Sequence, residues 1–321
     1  MVVTFSQNRM IPVIINIDGH HPQRLFKPEF YAMKTILVFT DFSINADYVA
    51  QYALRFAQNI GANILLCNIF QVPAGEETTD RDRWSMLACE ENSINDLGAQ
   101  AAHLKSLLDA EVSGDGFRPE IIQYSQEGGL STTLNELARI KDILMAVISV
   151  HSADKISEFF AKDHAWDIVD NAGFPVMVIP YQARFKPFRL IAFATAMNYT
   201  DINILESISG LAKYSNAEIL VTNITAGQKE ENMVRRFFNQ IPNKINYPQI
   251  LYNSITGSDI ADGLKHLCAY IDIDLLVLVH QKHNLFQKLF GGNVTRQMTD
   301  RPGKPLLIFP CSTVKETLTV F

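Results

Sequence analysis

Short apolar runs alternate along this chain with longer stretches in which apolar residues recur every three or four positions. The first run, Ile36–Thr40, is rich in β-branched residues and bounded by Asp41 and Ser43, the pattern of a buried parallel strand entering a turn. From Asn45 to Ile60 apolar residues fall at Val49, Ala53, Phe56 and Ile60, and Gly61 follows. That spacing predicts a helix with a glycine C-cap. Further strands are expected at Ile64–Phe70, Glu120–Tyr124, Ile143–Val150 and Val176–Ile179. The polar stretch Thr78–Leu108 has helical tendency, Gly128–Gly129 turns the chain into a helix near Ser131–Ile140, and another helix is expected around His164–Asn171.

The second half repeats this order. Strands are expected near Arg189–Ala194, Glu218–Ile224, Tyr247–Tyr252, Leu275–Val279 and Leu306–Phe309. Helices are expected near Asp201–Tyr214, Lys229–Gln240, Asp259–Tyr270 and Val294–Asp300. KTILVFTDFS matches FRLIAFATAM, GANILLCNIF matches NAEILVTNIT, and GFPVMVIP matches GKPLLIFP. A repeat this long is a whole domain, far beyond a solenoid period. The expected fold is therefore α/β, with two doubly wound parallel five-stranded sheets arising by internal duplication. The boundaries read 33–181 and 188–311, with a linker at 182–187 and a C-terminal tail at 312–321. Met33 is a candidate natural start. Residues 1–32 are then either a specific extension or the product of an upstream start, and disorder is expected there.

Composition narrows the function classes. The chain has 321 residues, 47% hydrophobic and 19% charged, which suits two globular domains. A net charge of −6 argues against a dedicated nucleic-acid binder. No apolar run approaches the ~18 residues of a membrane span. The four cysteines, Cys67, Cys89, Cys268 and Cys311, form no CxxC pair. They imply neither zinc nor a disulfide framework, and reduced thiols in the cytoplasm are the expectation.

Open α/β sheets bind ligands beyond the carboxyl ends of their strands, where the strand order reverses. After LLVLV in the second half comes HQKHNLFQKLF, then Gly291, Gly292, Asn293, Val294 and Thr295. Two glycines before a candidate N-cap can form a small anion nest, with Lys282 and Arg296 as nearby cations. The competing reading is that Gly-Gly-Asn only turns the chain. Asp41 is likewise open to two roles, a ligand contact at a strand end or a cap of the following turn.

On the segments ILVFTDFS, GANILLCNIF and DLLVLV…LFGGNVT…KPLLIFP, residues 33–310 resemble a tandem universal stress protein. The resemblance implies a Rossmann-like fold of the adenine nucleotide alpha hydrolase-like kind. It also implies that ATP-binding members carry Gly-x2-Gly-x9-Gly-(Ser/Thr) after the fourth strand and an Asp after the first. Here Val279 and Lys282 occupy the first two glycine positions, Gly292 the third, and Asn293 the Ser/Thr position; Thr195 stands for the Asp. In the first half Asp41 is present, Val147 and Val150 stand for the first glycines, and the loop that follows has no glycine. Neither half has the full set for ATP or ADP. The resemblance further implies pairing of the last strands, here within one chain as a pseudo-dimer, and leaves a homodimer open.

His280 and His283 form an H-x-x-H without further ligands, so no metal is expected. His103 is expected to be structural. Ser43, His151 and Asp154 lack a G-x-S-x-G elbow, which argues against a hydrolase triad. The expected function is a non-enzymatic stress-response protein with a degenerate or partial ATP site in the second domain. The alternatives are slow ATP hydrolysis and small-molecule sensing.

Overall fold

In a computed structural model of the chain, the described residues are 13–14, 34–71, 80–110, 116–138, 143–149, 168–169, 171–180, 182–198, 201–225, 231–256, 260–279 and 304–310. β1 is Val13–Ile14, so the N-terminal extension, expected to be disordered, contributes a short strand. The rest of residues 1–32 lies outside the described residues. In the first half follow β2 (Thr35–Phe39), α1 (Ile44–Ile60), β3 (Asn63–Phe70), α2 (Asp80–Asp109), β4 (Ile121–Glu127), α3 (Leu130–Leu137), β5 (Ile143–Ser149) and β6 (Val176–Ile179). In the second follow β7 (Leu190–Thr195), α4 (Asp201–Lys213), β8 (Glu218–Thr225), α5 (Glu231–Lys244), β9 (Ile250–Thr256), α6 (Ile260–Tyr270), β10 (Leu275–Val279) and β11 (Leu306–Phe309). The expected helices at 164–171 and 294–300 lie largely or wholly outside the described residues.

The strands form one sheet in the order β1-β4-β3-β2-β5-β6-β11-β10-β7-β8-β9. Apolar runs such as β2 are buried on both faces because helices cover both sides. One face carries Val49, Phe56, Leu104, Leu205 and Phe237, from α1, α2, α4 and α5. The other carries Leu134, Leu137, Leu264 and Leu267, from α3 and α6. All strand pairs are parallel except β6 with β11, where Met177 lies opposite Leu307. The α/β architecture read from the sequence is present, with the two five-stranded sheets fused through that antiparallel pair. The strands of the two halves consequently run in opposite directions.

Near this seam the linker is held by aromatic packing. Phe185 meets the Tyr52 ring edge-on at 5.5 Å and lies 5.7 Å from Phe56 and 5.8 Å from Phe188. Burial, with the Asp274 carboxylate of the other half nearby, pushes the Tyr52 phenol well above its ordinary range.

Several boundaries moved, among them β4, which runs on to Glu127, and two that lie beside prolines. Helix α5 runs past Pro242, whose missing amide costs a bond only in the last turn, and Ile245 N–H closes that turn on Ile241 O at 2.8 Å. β9 starts after Pro248, which has no donor for the ladder, and continues to Thr256.

Candidate functional site

In each half the strand order reverses beside the first strand: β2 lies between β3 and β5, and β7 between β8 and β10. A ligand crevice is expected at the carboxyl ends of these pairs. In the first half that point holds Thr40, Asp41 and the end of β5. In the second it holds Thr195, Ala196 and the end of β10 at Val279. Asp41 and Val279 do not share a crevice. Four strand steps separate β2 from β10, roughly 19 Å. The opposed strand directions also turn the two crevices to opposite ends of the sheet. Lys282, Gly291, Gly292, Asn293, Val294 and Thr295 lie outside the described residues, as do His280, His283, Val150, His151, Asp154, Arg296 and Cys311.

The turn after β2 is built by local hydrogen bonds. Phe42 takes a left-handed backbone, φ 60°, which costs a non-glycine residue roughly 1–2 kcal/mol. Its N–H is held by Thr40 Oγ1 at 3.1 Å. The Ser43 N–H donates to Asp41 Oδ1 at 3.0 Å, and Ser43 Oγ caps α1 by accepting from Ala46 N–H at 3.2 Å. Ser43 Oγ is thus engaged as an N-cap. The other oxygen, Asp41 Oδ2, is shielded from solvent and has no hydrogen-bond partner among the described residues. The turn-capping role weighed for Asp41 is thus seen in one oxygen.

The second half repeats the turn with different chemistry. Met197 has φ 59°, and its N–H donates to Thr195 Oγ1 at 2.7 Å. Asn68 Nδ2 donates to Thr40 O at 2.8 Å, and Asn223 Nδ2 to Thr195 O at 3.4 Å. Thr195 is therefore the counterpart of Thr40, and Asp41 corresponds to Ala196. This corrects the sequence alignment, which set Thr195 against the Asp. The carboxylate of this turn comes instead from Asp201, only 3% exposed. It accepts from Thr195 Oγ1 at 2.6 Å and from Asn198 N–H at 3.0 Å. The Asp201 side chain thus reaches back to the Asn198 amide, the carboxylate half of a capping box.

The strand register corrects a second position. Val38 pairs with Val147 and Phe193 with Val277, while Ser149 pairs with Ile179 and Val279 with Phe309. The first-half counterpart of Val279 is Ser149, and Val147 answers to Val277 inside the strand.

Sequence reasoning passed over a buried polar chain beside Asp41. Asn68 Oδ1 accepts from Ser93 Oγ at 2.8 Å, and Ser93 Oγ lies 2.6 Å from Ser125 Oγ. Ser93, Ser125 and Asn68 are all under 9% exposed. The signal was available as a Thr and an Asn 28 residues apart in both halves. Elsewhere, His103 is half exposed with Nε2 3.8 Å from Asp47 Oδ2. Among the described residues no three His, Cys, Asp or Glu side chains could hold a metal together, and no helix is long and apolar enough to cross a membrane.

Residues 33–180 match the family model described as "Universal stress protein family". Residues 33–180 are a universal stress protein domain. The match ends with β6, and the second half follows the same strand order without being part of it. Comparison with curated proteins gave no match. A universal stress protein from Archaeoglobus fulgidus DSM 4304 superposes with a TM-score of 0.58 at 12% identity, covering 86% of this chain and 98% of that one. A functionally unknown protein from Pseudomonas aeruginosa PAO1 is 14% identical with a TM-score of 0.46, covering 90% and 96%. Universal stress protein UspA from Lactobacillus plantarum is 17% identical with a TM-score of 0.37, covering 46% and 97%. The first likeness extends the universal stress protein fold over most of both halves.

Proposed function

We propose that the chain is a non-enzymatic stress-response protein in which two universal-stress-type domains, 33–181 and 188–311, pair within one chain as a pseudo-dimer. The antiparallel β6–β11 seam carries this reading, because it joins the halves through their last strands and runs one apolar core beneath both. The work is done in the cytoplasm through protein contacts on the paired scaffold, without metal.

The ATP or ADP site is degenerate. Its glycine-bearing part, with Val279, Lys282 and Gly291 to Thr295, belongs to the second domain, where Ala196 offers no carboxylate. Asp41 belongs to the first, whose following loop has no glycine. Opposed crevices keep the two partial sets from completing one another.

Calorimetry of the full chain with ATP and ADP tests this, with Gly292→Val beside it. Weak binding lost in Gly292→Val, and ATP turnover no greater than a heat-denatured control, is the expected outcome. Tight binding that survives Gly292→Val overturns the degenerate second-domain site. Turnover above the control establishes the ATPase alternative.

A further inference from the structure

The two ends of the sheet are finished differently. At one end β1 covers the outer edge of β4, with Val13 and Ile14 beside Gln123 and Tyr124. At the other end β9 is the last strand among the described residues. Leu251 and Tyr252 are 47% and 43% exposed there, while their first-half counterparts Ile122 and Gln123 are 8% and 5% exposed. The sequence of β9 is ILYNSIT. It has no charge and no proline, the usual devices that keep an edge strand from pairing.

The direction of the free backbone groups follows from the ladder. Ile219 N–H donates to Gln249 O at 2.8 Å, so odd-numbered β9 residues bond toward β8. Ile250, Tyr252 and Ser254 therefore present their N–H and C=O outward. We propose that β9 of one copy pairs antiparallel with β9 of a second copy, about a two-fold axis at Asn253. In that register Tyr252 and Ser254 exchange hydrogen bonds as a pair. Leu251 stands opposite Ile255, so apolar meets apolar on one face. Asn253 faces its own copy in a non-hydrogen-bonded pair, Cα atoms about 4.5 Å apart.

A second copy is the occupant because the strand is self-complementary about its midpoint and carries no charge to repel its twin. The contact is isologous and closes on itself. Growth stops at two chains, since the far end of each sheet finishes in the two-residue β1, too short an edge to template another strand.

Sedimentation equilibrium on the full chain at micromolar concentration tests the interface. A species of twice 36.1 kDa is expected, falling to one chain in Asn253→Lys, where two ammonium groups would meet. Asn253→Cys preserves side-chain size and supplies the geometric check. Mild oxidation should cross-link that variant to a dimer, because the non-hydrogen-bonded spacing fits a disulfide, while wild type and Leu251→Cys stay uncross-linked. A monomeric wild-type chain overturns the proposal. So does a dimer that withstands Asn253→Lys and gives no cross-link in Asn253→Cys, since its interface must lie elsewhere.

Discussion

Asp41 and Asp201 satisfy the same backbone donor from opposite sides of a turn. In the first half the N-cap amide of Ser43 is held by Asp41, two residues before it. In the second the equivalent amide of Asn198 is held by Asp201, three residues after it. Asp41 retains an oxygen without a partner among the described residues, whereas Asp201 is drawn into the fold and also receives the Thr195 hydroxyl.

Asp201→Ala should therefore destabilise the protein by about 2 kcal/mol, because a hydroxyl and a cap amide lose their acceptor together. Asp41→Ala should cost about 1 kcal/mol, the range of a single cap. Adding Ala196→Asp to Asp201→Ala transplants the first-half arrangement and should recover more than half of the loss. Urea midpoints of wild type, Asp201→Ala, Ala196→Asp and the double variant measure this, with Asp41→Ala read beside them, and additive effects in that cycle would show that the two carboxylates do not serve one donor.

Asn68→Asp should cost more than its small change in shape suggests. The side chain donates to Thr40 O and accepts from Ser93 Oγ inside the protein. A carboxylate cannot donate, so the Thr40 carbonyl would face a buried negative charge, a loss of about 3 kcal/mol. Protonation restores a donor, which raises the folded-state pKa of the new carboxyl group above the unfolded value of about 3.9. The deficit should then be smallest in acid and grow as pH rises through the folded pKa. Melting temperatures of wild type and variant across acid to neutral pH check the sign.

Gly263→Ala sets helix propensity against packing. Alanine inside α6 should gain about 1 kcal/mol in propensity. Its Cβ, however, would stand 2.3 Å from Ile224 Cγ2, closer than real Cβ atoms come to a neighbour. Overpacking costs about 1–3 kcal/mol, so the variant should be less stable than wild type. Gly263→Ala with Ile224→Ala, which removes Cγ2, should cost less than the sum of the two single variants if this contact is the cause, as denaturant midpoints would reveal.

The alternation of apolar runs with helical spacing placed β3, β6, β10 and β11 to within a residue, because strands buried on both faces need apolar residues throughout. Strand order and the β6–β11 pairing are long-range facts that no local pattern encodes. The site was harder to read. Aligning ILVFTDFS with LIAFATAMN by eye favours Thr195 for Asp41, and only the register that sets Asn223 against Thr195 moves the match to Ala196. Asp201 was invisible for a different reason. In sequence it is an ordinary first-turn acid, and its role as the turn's carboxylate depends on the left-handed bend at Met197.

Cys268 should behave as an unreactive thiol until the solution is strongly alkaline. Burial raises its pKa from 9.0 to about 11, against a smaller lowering effect of the Lys304 ammonium. Two pH units reduce the thiolate about 100-fold at neutral pH. Slow alkylation alone would not separate this from steric shielding, so the pH profile decides. In the folded chain the rate at Cys268 should keep rising about tenfold per pH unit until near 11, whereas in denaturant it should level near the ordinary thiol value. Lys304→Met removes this lowering influence and should push the folded profile further into alkali. Because the folded state holds this proton more tightly, the same shift makes stability fall as pH rises from about 9 through 11. A folded profile that levels near 9 would show the thiol to be solvated, and the alkaline loss of stability should then vanish with it.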